Sequence, residues 1–183
     1  MKSVRTLLMF QGGTRMEVKT SNINTIYGKA EIMVFKFEDE LIIPVLYKRG
    51  EGVPLVRVQS QCFLGTVFSS TDCDCGEQVK MALKILFEQP HAALIYMMNQ
   101  EARGHGLYKK IEILSNYHHS HDIEKARMLV GASRDMRKYD KVAEILKEMG
   151  LTSISLLTEN EKKANELRKY AIVIEKIRGF NID

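Results

Sequence analysis

Polar and apolar positions alternate most clearly between Asn24 and Val58, where the chain reads as strands separated by turns. Ala30 to Phe37 alternates toward its end, with Gly28 before it and the acidic run Glu38-Asp39-Glu40 as the turn after it. Leu41 to Tyr47 is the expected partner strand, Arg49 to Gly52 a second turn, and Pro54 to Val58 a third strand. Residues 1 to about 20 carry mixed signals and predict no more than one first strand. A helix is expected over about 77–88, because Val79, Ala82, Leu83 and Leu86 share one face and Pro90 ends it. Ala92 to Met98 is an unbroken apolar run, the signature of a strand buried on both faces.

Farther on, helical periods dominate. Helices are expected over roughly 107–117 and 122–130, and Asp140 caps another that runs to Met149 and stops at Gly150. Ser153 to Leu157 reads as a buried strand, 160–170 as a charged helix, and Ala171 to Glu175 as a further strand. Strand, helix and strand at these lengths predict parallel βαβ units. The expected fold class is therefore α/β: a mostly antiparallel N-terminal β portion leading into a mixed or parallel sheet. The expected organisation is a single domain over residues 1–183, with a β-rich part at 1–58, a core carrying the chemistry at 59–176 and a tail at 177–183. Ligands of open α/β sheets bind beyond the carboxyl ends of the strands. Gln100 to Arg103 and Thr158 to Asn160 are polar clusters at two such ends.

Composition adds limits more than direction. The 183 residues are 45% hydrophobic and 27% charged, enough for one substantial core, and the net charge is +4. No apolar run approaches the roughly 18 residues of a membrane span. The opening MKSVRTLLMF lacks a full apolar region and a cleavage site, so a cytoplasmic protein is expected. Basic and acidic residues alternate, as in Glu161 to Lys169, which argues for solvated helix faces and against a nucleic-acid surface.

The sharpest chemical signal is Val56 to Gln78, which holds all three cysteines: Cys62, Cys73 and Cys75. Thiolates suit zinc, which takes four ligands, so three cysteines without a nearby fourth partner point to an open, catalytic corner. A His or acid from elsewhere would close the site. Buried thiols without metal are the bland alternative. In an extended Cys73-x-Cys75 both sulfurs would share a face, and the following helix would place its N-terminus beside Cys75.

The runs Arg57-Val-Gln-Ser-Gln-Cys62 and Cys73-Asp-Cys75-Gly76-x-Gln78 resemble the zinc segment of GTP cyclohydrolase II. Gln100-Glu-Ala-Arg-Gly104 resembles that family's QEGRG signature with Ala102 in place of glycine, and Asp135-Met-Arg137-Lys-Tyr139 its D-x-R-x-[YF] segment. The resemblance covers about residues 25–176. It implies a hydrolase that opens the imidazole ring of GTP in riboflavin synthesis, with diphosphate release and attack of zinc-bound water at C8. It implies one Zn2+ per chain on Cys62, Cys73 and Cys75, Mg2+ with the triphosphate, and a homodimer. Asp135 and Arg137 are the implied catalytic pair; Arg57, Gln78, Glu101, Arg103, Thr158 and Lys163 are the implied substrate contacts. Taken alone, these residues read more plainly: Glu101 and Arg103 as a loop ion pair, Asp135 to Tyr139 as helix-entry polarity, Lys163 as solvated helix surface. His118, His119 and His121 read as an exposed loop and not as a second metal site.

Several positions depart from the family pattern. Gln59 and Gln61 stand where His and Glu are usual, Asp72 replaces an Arg, Leu114 a tyrosine and Ile123 a threonine. Tyr108, two helical turns before Leu114, is a candidate substitute phenol. The losses remove proton-transfer groups. They raise two alternatives: an enzyme that retains the formyl group on the opened ring or acts on another purine nucleotide, and a non-catalytic nucleotide-binding protein with structural zinc.

Overall fold

The computed structural model describes residues 5–11 and 14–180, with side chains from residue 16 onward. Eight strands follow in chain order: β1 (Arg5–Gln11), β2 (Thr14–Thr25), β3 (Gly28–Phe37), β4 (Ile42–Lys48), β5 (Leu55–Ser60), β6 (Ala92–Met97), β7 (Ser153–Leu157) and β8 (Val173–Arg178). The helices are α1 (Phe63–Val67), α2 (Cys75–Glu88), α3 (Gly106–Ser120), α4 (Ile123–Leu129), α5 (Asp140–Glu148) and α6 (Glu161–Arg168). A short 3-10 turn spans Glu101–Gly104. The chain forms two compact units: Met1–Gln59 with Glu77–Tyr96 and Tyr139–Asp183, and Ser60–Gly76 with Met97–Lys138.

The first unit is organised by one sheet in the order β1-β2-β3-β4-β6-β5-β7-β8. Strands β1 to β4 form an antiparallel meander that continues antiparallel into β6, whereas β5, β7 and β8 pair in parallel. The predicted α/β class, antiparallel first and parallel last, is what the sheet shows. Alternation is visible in β3, where Met33, Phe35 and Phe37 are buried, and in β4, where Ile43, Val45 and Tyr47 are. Register sets Val18 opposite Phe35 and Val45 opposite Ile95, all four fully buried. Each such side chain contributes roughly 1.5–3 kcal/mol. Strand β5 is buried from Leu55 to Gln59, as a strand enclosed on both faces must be. Helix α2 packs Ala82, Ile85 and Leu86 into a cluster with Leu55, Leu94 and Leu157.

Three elements differ from expectation. The first 25 residues carry two strands where one was expected, because the polar second half of β2 is held by its pairing with β3, from Thr20 opposite Met33 to Thr25 opposite Gly28. The last strand begins at Val173, after a left-handed Ala171 (φ 62) turns the chain out of α6. Helix α2 starts at Cys75, so Cys73 and Cys75 do not lie on one extended segment.

The second unit is helical. Asp122 caps α4 by accepting from the amides of Glu124 and Lys125, both at 3.0 Å. Ala102, Ile113, Ala126 and Ala132 form its core, with Tyr117 and Val130 against them. Among the described residues no helix is long and apolar enough to cross a membrane.

Candidate metal centre

Cys62 is the residue before α1 and has extended backbone (φ −141°, ψ 90°); Cys75 opens α2, and Cys73 lies in the loop between. Their three sulfurs lie within 4.8 Å of one another, with Cys62 Sγ 3.5 Å from Cys73 Sγ. It is the one group of three metal-ligating side chains brought together among the described residues. Two glycines make the approach possible. A Cβ on Gly65 would stand 3.1 Å from Cys73 Sγ and 3.3 Å from Cys62 Sγ, and a Cβ on Gly76 would stand 2.3 Å from the Gly65 carbonyl oxygen. Gly65 was missed in the sequence; its only signal was the short spacing from Cys62.

Crowded thiols cannot all ionise without a cation. Cys62 is lowered to about 5, chiefly because the Cys75 thiol hydrogen-bonds to its sulfur. Cys75 is pushed far up, first by that same hydrogen bond and then by burial. A Cys62 thiolate beside a protonated Cys75 thiol is an arrangement that a cation would stabilise. A soft divalent cation would let all three deprotonate. The donor set therefore fits zinc, and three sulfurs leave a tetrahedral corner open.

The turn at Glu101–Gly104 ties this centre to the rest of the second unit. Glu101 is buried, and its Oε2 accepts from the Phe63 amide at 2.6 Å, next to Cys62. Burial raises its pKa. Gln100 accepts from Ser60 Oγ (2.8 Å) and donates to the Lys138 carbonyl (2.7 Å). The Met136 amide donates to the Arg103 carbonyl at 2.9 Å, holding the Asp135–Arg137 segment against the turn. Ala102 and Arg103 adopt left-handed backbone (φ 51 and 61), which is strained for residues with a Cβ. Glu101 and Arg103 do not form an ion pair with each other in this arrangement; Arg103 Nη2 donates to Glu124 at 3.0 Å.

Arg137 grips Asp135 through two parallel bonds, Nε to Oδ1 at 2.9 Å and Nη2 to Oδ2 at 2.6 Å. The guanidinium holds the Asp135 carboxyl below its usual range. The pair lies in the loop that leads into α5. His118 and His119 end α3, so these two exposed histidines are helical where a loop was expected, and His121 follows the helix with left-handed backbone. His118 Nε2 lies 2.8 Å from Asp72 Oδ1. Tyr108 is 84% exposed on α3, which leaves it facing solvent.

The four remaining candidates lie in the first unit. Arg57 is buried and donates to Gln59 Oε1 (3.0 and 2.8 Å), to the Leu157 carbonyl (3.1 Å) and to Gln78 Oε1 (3.3 Å). Lys163 is buried, not solvated, and its Nζ donates to the Val58 carbonyl at 2.7 Å. Thr158 is buried at the end of β7, where its Oγ1 accepts from the Asn160 amide.

These features define an α/β protein with a cluster of three cysteines able to hold a metal ion. The sequence profile of GTP cyclohydrolase II matches residues 15–178. Among relatives, the chain is 34% identical over 182 residues to a GTP cyclohydrolase-2 of Vibrio vulnificus, covering 97% of this chain and 86% of the relative. It is 36% identical over 148 residues to a GTP cyclohydrolase-2 of Helicobacter hepaticus, covering 81% and 73%. A riboflavin biosynthesis protein RibBA of Chlamydia muridarum is 36% identical over 162 residues; the match spans 86% of this chain but 38% of that protein's length. The chain belongs to the GTP cyclohydrolase II family.

Proposed function

We propose that the protein is a zinc-dependent hydrolase that opens the imidazole ring of GTP, releasing diphosphate, as a step of riboflavin biosynthesis in the cytoplasm. The observation that carries the reading is the convergence of Cys62, Cys73 and Cys75 within 4.8 Å in a chain matched to this family over residues 15–178. The three sulfurs would hold zinc. When bound, zinc supplies a Lewis acid able to make water reactive near neutral pH.

The chain's own residues bind and orient. In the second unit, Glu101 offers a carboxylate suited to the N–H groups of a guanine edge, and Arg103 a guanidinium suited to phosphate. Asp135 fixes the plane of Arg137, which then acts as an electrostatic clamp on the α-phosphate. In the first unit, Arg57, Gln78, Thr158 and Lys163 are the remaining nucleotide contacts by match to the family, with Arg57 holding Gln78 in place. Mg2+ accompanies the triphosphate, and the assembly is a homodimer acting through a single domain over residues 1–183.

Incubating the purified protein with GTP, Zn2+ and Mg2+ and identifying products by mass tests this. Formate, diphosphate and the opened pyrimidine are expected; none of the three would overturn it. A formylated pyrimidine is the second outcome to look for. Leu114 and Gln61 supply no phenol or acid, and Gln59 is buried accepting from Arg57. Metal removal separates catalysis from a structural role: a folded, inactive apoprotein supports the enzyme, whereas unfolding supports a binding protein with structural zinc.

A further inference from the structure

In the second unit one carboxylate oxygen, Glu124 Oε1, accepts from two arginines: Arg103 Nη2 at 3.0 Å and Arg127 Nη1 at 2.9 Å. The two guanidiniums therefore converge on a single point. Arg137 is held nearby by the bond from the Met136 amide to the Arg103 carbonyl. Arg127 is largely buried, its side chain 14% exposed, and its Nε is buried with no hydrogen-bond partner among the described residues. A buried guanidinium donor without an acceptor is costly, and so is crowding three like charges. Glu124, whose side chain is 57% exposed, accepts from both arginines at the edge of the solvent.

We infer that Arg103, Arg127 and Arg137 form a cradle for a phosphate group, in which Glu124 stands in for the anion until the ligand arrives. Arg127 is the new member. It sits on α4, outside every motif that the family resemblance supplied, and its unused Nε gives the cradle a donor that Glu124 leaves unsatisfied. A phosphate offers several oxygens, enough to accept from Arg103 and Arg127 while Arg137, its outer edge held by Asp135, adds charge beside them. The inference rests on the reading of the ligand as a phosphate-bearing nucleotide.

Calorimetric titration of the zinc-loaded full chain tests it with three probes: inorganic tripolyphosphate, GTP and guanosine. Arg127→Gln should weaken tripolyphosphate about tenfold and leave guanosine unchanged, because only a charged, bidentate contact is lost. Arg127→Lys should recover part of the loss. Glu124→Gln should tighten tripolyphosphate about threefold by removing the competing anion. An equal loss for GTP assigns the cradle to the nucleotide's phosphates; a loss for tripolyphosphate alone assigns it to a free inorganic anion.

Absence of tripolyphosphate binding by the parent, or unchanged affinity in Arg127→Gln, overturns the inference. Should Arg127→Gln fail to fold, Glu124→Gln decides alone, with unchanged affinity as the overturning result. Products are scored separately by mass. Turnover of GTP with unchanged tripolyphosphate affinity in Arg127→Gln overturns only the cradle, and Arg127-dependent binding without product overturns only the enzyme.

Discussion

At the ends of β5 and β7 the first unit buries Arg57 and surrounds its guanidinium with the oxygens of Gln59, Gln78 and Leu157, while the Phe180 ring lies 4.7 Å from it. The second unit does the opposite: it packs three thiols against one another and points two arginines at one carboxylate oxygen. The first arrangement satisfies its charge with groups of the protein itself, and such a network fixes geometry. The second gathers three soft donors at the sulfurs and leaves Arg127 Nε without an acceptor among the described residues. Two adjacent left-handed residues, Ala102 and Arg103, lie in the same unit, whereas Glu40 and Ala171 of the first unit are isolated ones. Crowded like groups of this kind are what ion-binding sites are built from.

The contrast can be broken at either side. The largest effect is expected from Gly76→Ala, whose Cβ would stand 2.3 Å from the Gly65 backbone oxygen. Neither atom belongs to a flexible side chain, so α1 and the start of α2 must separate. A loss of about 3 kcal/mol is expected, together with a clear drop in bound zinc. Denaturant melts and elemental analysis read the two effects. Retained zinc at full stability would refute the close-approach argument.

Arg57→Ala addresses the other region. It removes the guanidinium that donates to the buried oxygens of Gln59 and Leu157, and a cost of about 2–3 kcal/mol is expected. Zinc content should not change, since the oxygens that accept from Arg57 belong to Gln59, Gln78 and Leu157. A fall in zinc per chain would show that the Arg57 network also supports the cysteine cluster.

The sequence carried the sheet wherever burial imposed a period. Met33, Phe35 and Phe37, Ile43, Val45 and Tyr47, and the run from Ala92 were legible for that reason. The second half of β2 was not, because Ser21, Asn22 and Asn24 have no apolar rhythm and are strand only through pairing with β3. The thiols were legible from their number and spacing, but the reason they converge was not: it lies in Gly65 and Gly76, where what matters is the absence of a side chain. Arg127 was hidden for another reason. Helical periodicity places it on α4, yet nothing local shows that its partner is shared with Arg103, 24 positions earlier.

The smallest effect concerns Ala102, held at φ 51 and ψ 42 where the family signature has glycine. Ala102→Gly should relieve left-handed strain of about 1–2 kcal/mol, partly offset by the freedom that glycine gains in the unfolded chain. A net gain of about 0.5 kcal/mol is expected, visible as a small rise in melting temperature. A fall would mean that the buried methyl group's packing beside Ile113, Ala126 and Ala132 outweighs the strain.

The central claim is a divalent ion on three sulfurs with its fourth corner open to solvent. Zinc K-edge X-ray absorption on the reduced, zinc-loaded protein reads that coordination directly. The account predicts three sulfur scatterers and one oxygen, without the outer-shell pattern of an imidazole, at one zinc per chain. An imidazole signature, a fourth protein ligand, or no stoichiometric zinc would contradict it.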